Sequence, residues 1–143
     1  MNKIAIKEIN KSVQIEGTKR KYRTDCVKDY IGKDNYVQFI SLNATGTLLL
    51  GVDDEGLMKK MPTNFFIHTS HPCYPIQVVV GTAVFLRVKP VDEYAESIWD
   101  LELEDITNED LDAIEKMLDD QMQEQLKGNF KDYEGGGITV VKL

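Results

Sequence analysis

An antiparallel hairpin is encoded by the stretch Tyr36-Val37-Gln38-Phe39-Ile40-Ser41-Leu42-Asn43-Ala44-Thr45-Gly46-Thr47-Leu48-Leu49-Leu50-Gly51-Val52. Two apolar runs, rich in leucine, aromatic and β-branched residues, flank a short polar turn that ends in glycine. Such a turn between two strand-like runs is the strongest short-range signal for a hairpin. We therefore predict strands on both sides of Asn43–Gly46.

Further strand-like segments lie on both sides of this hairpin. Ile4–Ile9 and Val13–Ile15 read as two short strands, and Ile76–Val80 and Thr82–Val88 are rich in β-branched residues. Gly81 between the last two predicts a bulge or a sharp bend. The intervening Thr63–Pro75 shows no clear period, so we predict a long loop there. We expect an α+β fold with a small, mainly antiparallel sheet of about six strands.

Two helices are predicted, one near each end of the chain. Thr18 is a plausible N-cap for an N-terminal helix that Gly32 would end. Thr107-Asn108-Glu109-Asp110 resembles a capping box. It would open one long, acidic, amphipathic C-terminal helix of about 20 residues, ending at Gly128, with an apolar seam of Leu111, Ile114, Leu118, Met122 and Leu126. A shorter helical segment is possible over Asp92–Trp99.

The end of the chain differs in character from the rest. A triple glycine, Gly135-Gly136-Gly137, forms a flexible joint, and Ile138–Leu143 beyond it has high β propensity. We predict a single α+β domain over residues 1–128 and a glycine-jointed tail over 129–143. The tail can pair with its own sheet or with a second copy; we favour the second copy, and so a homo-oligomer.

Charge is distributed very unevenly along the chain. The net charge is −7, yet residues 1–34 carry nine Lys/Arg against five acids, and residues 92–124 carry fourteen Asp/Glu against Lys116 alone. An acidic helix face can serve solubility, or it can meet a basic partner and even imitate DNA phosphates. Its candidate partner-binding residues, which should point away from the apolar seam, are Glu109, Asp112, Glu115, Asp119 and Asp120.

A basic cluster near the N-terminus gives a second candidate site. Lys19, Arg20, Lys21 and Arg23 could hold a phosphorylated nucleotide at the start of the helix. They could equally pair with acids of the same molecule. The negative net charge makes general nucleic-acid binding improbable, and no glycine-rich phosphate loop is present in the sequence.

The cysteines and histidines give weak evidence for a catalytic or metal site. Cys26 could be an activated thiol beside Lys28, although its place on an apolar helix face favours a structural role. The cluster His68-Thr69-Ser70-His71-Pro72-Cys73 has metal-ligand types but no second ligand pair elsewhere. We therefore predict no catalytic residues, no metal and no cofactor. A small hydrolase using Cys26 or Cys73 is a minor alternative.

Several of these pieces, in this order, resemble a family of domains of unknown function found in phages, plasmids and integrative elements, mostly of Gram-positive bacteria. The resemblance covers roughly residues 12–120. Where the family often has an arginine this chain has Phe65, and the part after Gly128 looks added. The matching segments are Tyr36–Leu42, Leu48–Val52, Asp53–Leu57, Met61–Asn64, Val79–Phe85 and Asp105–Asp110.

The resemblance implies a phage or mobile-element origin and supplies no reaction. We expect a non-enzymatic accessory protein of the host cytoplasm, without membrane association, that binds and interferes with a host component such as a defence pathway. Its acidic surface would capture a basic host protein, as a DNA mimic or otherwise. The alternative is a sponge that sequesters a nucleotide signal through the basic cluster.

Overall fold

The computed structural model describes residues 1–68, 75–90, 100–132 and 139–141, and it describes the backbone alone for 130–132 and 139–141. The described residues form an α+β fold. In chain order its elements are β1 (Asn2–Lys7), β2 (Gln14–Thr18), α1 (Arg23–Ile31), β3 (Val37–Ser41), β4 (Leu48–Asp53), β5 (Thr63–His68), β6 (Ile76–Val80), β7 (Ala83–Val88), β8 (Leu103–Glu104), α2 (Asn108–Met117), α3 (Asp120–Gly128), β9 (Phe130–Asp132) and β10 (Thr139–Val141).

The main sheet has six strands, which confirms the predicted small antiparallel sheet. Its order is β2-β1-β7-β4-β3, with β8 also paired to β7, and each of these pairings is antiparallel. The predicted hairpin is β3–β4, with Val37 opposite Asp53 and Ser41 opposite Leu49. Gly46 in its turn has a φ of 69°, a conformation that glycine adopts without strain.

Helix α1 covers one face of this sheet. Its buried residues Cys26 and Val27 pack with Leu49, Val84 and other inward side chains of β4, β7 and β1. The approach is close at Gly51, where a Cβ atom would stand 2.5 Å from a methyl carbon of Val27. The strand therefore needs glycine at this position to let the helix backbone come near.

The opposite face is covered by the β5–β6 hairpin together with α2. Leu50 and Phe85 of the main sheet pack with Phe65, Ile67 and Ile114, and the rings of Phe65 and Phe85 stack with centroids 5.8 Å apart. The strands β5 and β6 form a separate two-stranded sheet. The chain passes from it into the main sheet through Gly81, whose φ of 72° produces the predicted bend.

The prediction of a loop over Thr63–Pro75 is wrong for its first part. Residues Thr63–His68 form β5, and their burial alternates along the strand, with Phe65 and Ile67 inward. The alternation is hidden in the sequence because Phe66, on the other side of the strand, is also apolar. The remaining residues 69–74 lie outside the described part of the chain, as does the possible helical segment Asp92–Trp99.

The predicted N-cap at Thr18 is also wrong. Thr18 is the last residue of β2 and lies opposite Asn2, so strand pairing continues through Gly17. Helix α1 begins at Arg23, after Tyr22 as N-cap, and Gly32 ends it as predicted. Thr18 is the one buried residue of β2, and its hydroxyl accepts a hydrogen bond from the backbone N–H of Arg20.

The long C-terminal helix is two helices rather than one. Helix α2 ends at Met117 and α3 begins at Asp120, because Asp119 takes an extended conformation with a ψ of 137°. The Asp119 side chain then accepts hydrogen bonds from the backbone N–H groups of Gln121 (3.0 Å) and Met122 (3.3 Å). These capping hydrogen bonds favour a new helix start at Asp119 over continuation of α2.

The strand in the tail pairs with another strand of the tail in the same chain. Thr139–Val141 forms β10, which lies antiparallel to β9 with Val140 opposite Lys131. The short connection between the two strands makes closure within one chain entropically inexpensive. The two strands form a sheet of their own, separate from the main sheet, so the described residues of the tail do not pair with the main sheet. Pairing with a second copy stays a prediction.

Candidate binding groove

The position of α2 is fixed by a buried ion pair at its first turn. Asp110 receives two hydrogen bonds from the Arg87 guanidinium, at 2.7 and 2.6 Å. The same carboxylate accepts from the backbone N–H of Thr107, whose hydroxyl accepts from the Asp110 N–H, so the predicted capping box is present. Burial alone would raise the pKa of Asp110, but the hydrogen bonds from Arg87 and Thr107 outweigh it and lower that pKa. The start of α2 is therefore tied to β7.

Helix α3 is held against the edge of β5 by one glutamine. The Gln123 side chain accepts from the backbone N–H of Phe66 (2.8 Å) and donates to the carbonyl oxygens of Phe66 (2.9 Å) and Met117 (2.8 Å). An amide side chain that binds both backbone groups of one strand residue satisfies that edge position. This contact sets the angle at which α3 leaves α2.

Together these two anchors create a surface groove between the β3–β4 turn and the helices α2 and α3. Its volume is about 790 Å³. The walls are mostly apolar, and Met122 at the rim remains 36% exposed. The residues that line the groove are Ile40, Ser41, Leu42, Asn43, Ala44, Leu48, His68, Ala113, Ile114, Lys116, Met117, Met122 and Leu126.

A second, more open depression of about 500 Å³ adjoins this groove on the outer side of α2 and α3. Lys116 and Met122 line both, so the two are adjacent. Three of the predicted partner-binding carboxylates, Asp112, Glu115 and Asp119, line the second depression. We call these three residues the acidic rim.

All five predicted acidic residues are exposed, as their spacing indicates. Glu109 and Asp120 do not line the depression; Glu109 lies near enough to Arg87 to contribute to its raised pKa, and Asp120 opens α3. Within the described part of the chain, none of the five forms an ion pair with a cation of the protein. Their negative charge is therefore available to a partner.

In contrast to the acidic residues, most cations of the basic cluster form ion pairs within the protein. Arg20 binds both carboxylate oxygens of Asp29, at 2.8 and 2.9 Å, and this pairing raises the pKa of Arg20 and lowers that of Asp29. Lys21 lies 3.5 Å from Glu102. Lys19 is exposed, and Lys19, Arg20 and Lys21 precede α1, whose first residue is Arg23.

Arg23 is held even more firmly by its own molecule. Its guanidinium lies 3.3 Å from Asp100 and 4.1 Å from the centre of the Phe39 ring. Both contacts hold the guanidinium in place, and the Asp100 carboxylate partly neutralises its charge. The arrangement is thus the internal pairing that the sequence allowed as an alternative to a phosphate site.

Of the cysteine and histidine candidates, the structure describes Cys26 and His68. Cys26 is fully buried, and burial raises the pKa of its thiol to about 11 despite a hydrogen bond with Thr18. A thiol with that pKa is almost entirely protonated at neutral pH and is a poor nucleophile. His68 lies at the exposed end of β5, whereas His71 and Cys73 lie outside the described residues.

The described part of the chain contains neither a metal-binding type of cluster nor a membrane-spanning type of helix. No three or more His, Cys, Asp or Glu side chains there are grouped in a way that could hold a metal ion. None of its helices combines the length and the apolar character that crossing a bilayer requires.

Sequence reasoning missed the apolar groove itself. The seam residues Ile114, Met122 and Leu126 were assigned to a core-facing helix stripe, and Leu42 to a strand. Their meeting at one open surface depends on the division between α2 and α3. The exposure of Met122 on this seam is seen only in the structure.

Comparison with known proteins adds no relative: no family model, no curated protein and no solved structure matches this chain. The resemblance to the phage and plasmid family therefore stays a prediction.

Proposed function

We propose that this protein is a non-enzymatic accessory protein of a phage or mobile element that binds a basic host protein in the cytoplasm and interferes with it. The supporting observation is the acidic rim. Asp112, Glu115 and Asp119 are exposed beside an apolar groove and lack internal ion pairs among the described residues. A desolvated apolar patch with a charged margin is the usual composition of a protein-binding surface.

The alternative functions draw less support from the geometry. A nucleotide sponge would need Arg20, Lys21 and Arg23 to exchange their carboxylate partners for phosphates. A hydrolase built on Cys26 would need a thiolate that burial disfavours. DNA mimicry would need a continuous ridge of carboxylates, but the helix is interrupted at Asp119 and the acids surround a depression.

The test reverses the charge at two positions of the acidic rim. The double variant Asp112→Lys, Glu115→Lys should retain its fold, because exposed substitutions change the free energy of unfolding by about 0.5 kcal/mol or less. Asp119 is left unchanged because it caps α3, and removing an N-cap costs about 1 kcal/mol. Immobilised wild-type protein and variant are exposed to the same host lysate, and retained host proteins are quantified by mass spectrometry.

A matched control carries the same charge change elsewhere. Asp34 and Asp54 are exposed and lie beside the paired ends of β3 and β4, at the far end of that hairpin from the groove. The control variant Asp34→Lys, Asp54→Lys should keep the host protein that the rim variant loses. Equal retention by all three proteins would refute the proposal.

Self-association stays a prediction. Because β10 already pairs with β9 of its own chain, any dimer need not depend on the tail. Light scattering on the full chain and on a version stopped at Gly135 measures both points. Two monomers would refute self-association, and two oligomers of equal size would show that the tail is not its cause.

A further inference from the structure

The groove and the acidic rim form one surface with two chemically different sides. The side made by the β3–β4 turn is neutral, with Ser41, Asn43 and Ala44 at its edge. The side made by α2 and α3 carries the rim carboxylates, with Lys116 as the cation that lines both depressions. A ligand that fits must therefore be apolar along one face and basic along one flank.

We propose that the partner presents an amphipathic basic helix to this surface, with its apolar face in the groove and its Lys or Arg residues against the acidic rim. This inference rests on the proposed function and names the class of segment that is bound. An amphipathic helix seated in a groove is one of the recurring modes of peptide recognition, and its anchors repeat at i, i+3, i+4 and i+7.

The floor of the groove supports this class of occupant. Leu48, Ile114 and Leu126 are buried and belong to three different elements, so the floor is rigid. Met117 and Met122 form its flexible side, and methionine can adapt its shape to an incoming side chain. A volume of about 790 Å³ holds several apolar side chains, and is within the range found for ligand sites.

A substitution of Lys116 tests the proposal through an expected gain in affinity. As a cation beside a bound basic helix it weakens the attraction of the rim. Its replacement in Lys116→Glu should strengthen binding of a lysine-rich helix by about fivefold, the upper end for one exposed charge pair. A gain of affinity cannot result from misfolding.

Three synthetic peptides of equal length serve as defined probes. The first has leucines at i, i+3, i+4 and i+7 with lysines on the flank. In the second the lysines are glutamates, and in the third the leucines are serines. The full chain is titrated with each, and binding is followed by peptide fluorescence anisotropy and by backbone amide shifts. The first peptide should bind at least about tenfold more tightly than either control, a difference of roughly 1.4 kcal/mol.

The binding position is tested in the same titrations. Amide shifts should concentrate at Ala44, Ala113 and Leu126. The variant Ala113→Trp, at an exposed position of α2 that lines the groove, should abolish binding of the first peptide. Equal binding of the serine peptide or of the glutamate peptide would overturn the proposal, as would shifts confined to another surface.

Other occupants give distinct results. Shifts of the same amides with protein concentration alone would assign the groove to a second copy and overturn the proposal. Nuclear Overhauser contacts from residues 69–74, which follow His68 at the groove, would assign it to the chain itself with the same consequence.

Failure of this inference can be distinguished from failure of the proposed function. If the rim variant Asp112→Lys, Glu115→Lys loses the host protein while Ala113→Trp keeps it, the acidic surface acts without the groove. If both variants keep the host protein, the proposed function fails as well.

Discussion

Replacing Asp110 with asparagine should destabilise the protein more than any other single change of charge in α2. Asp110 joins the capping box of α2 to Arg87 of β7, and its side chain is 6% exposed against 24% for Arg87. Asparagine has the same shape and keeps an oxygen for the Thr107 N–H, so the change isolates the ion pair from the cap. The groove depends on this anchor because it fixes one end of α2.

The magnitude follows from the geometry of the pair. Removing one partner of a buried ion pair leaves the other charge uncompensated and costs about 3 to 5 kcal/mol. Water can reach part of the Arg87 guanidinium, and the amide oxygen retains one hydrogen bond to it. We therefore expect a loss of about 3 kcal/mol in the free energy of unfolding. The matched control Asp112→Asn, at an exposed position of the same helix, should change it by about 0.5 kcal/mol or less.

The pH dependence of this loss provides the sharpest check. The folded-state pKa of Asp110 is lowered, so the ion pair contributes its full stability above the unfolded pKa of aspartate, about 3.9. That contribution is lost as the pH falls through the lower folded pKa. Urea unfolding followed by circular dichroism should show the full difference between wild type and Asp110→Asn at pH 7 and a shrinking one below about pH 4. A difference under about 1 kcal/mol at pH 7, or one that does not change on acidification, would refute the reasoning.

Three further predictions concern single side chains. Gly51→Ala should destabilise by about 2 kcal/mol through its clash with Val27, and the added change Val27→Ala should recover part of that loss in a urea-unfolding double-mutant cycle. Gln123→Ala should destabilise by about 2 kcal/mol by removing two hydrogen bonds to the backbone of Phe66 and one to the carbonyl oxygen of Met117, whereas exposed Gln125→Ala should have almost no effect in the same assay. Cys26 should react with iodoacetamide at neutral pH only after urea unfolding; rapid modification of the folded protein, located by peptide mass mapping, would contradict its burial.

Local signals predicted the elements whose causes lie close together in sequence. The β3–β4 hairpin depends on a turn and two adjoining apolar runs, and the capping box on residues three positions apart. Gly32 and Gly81 act through their own backbone conformations, with φ values of 109° and 72°. In each case the deciding interaction lies within a few residues, so no knowledge of the tertiary fold was needed.

The errors have tertiary causes. Thr18 has the side chain of a helix N-cap, but it pairs with Asn2 of β1 and is therefore the last residue of a strand. Strand β5 was missed because its alternation becomes visible only when the main sheet covers Phe65 and Ile67. The division between α2 and α3 is locally encoded by Asp119, yet the apolar seam continues across it and hides the signal.

The unequal charge of the two ends of the chain has one structural explanation that also bears on function. Several carboxylates at the start of the acidic segment neutralise cations of the protein itself: Asp100 pairs with Arg23, Glu102 with Lys21, and Asp110 with Arg87. The first two pairs join the two charged parts of the chain and engage two cations of the basic cluster, whereas the third ties α2 to β7. The carboxylates of the acidic rim form no ion pair with a cation of the described residues and so remain available to a partner. They do so at the point where the division of the helix opens the apolar groove, which is why we place the binding function there.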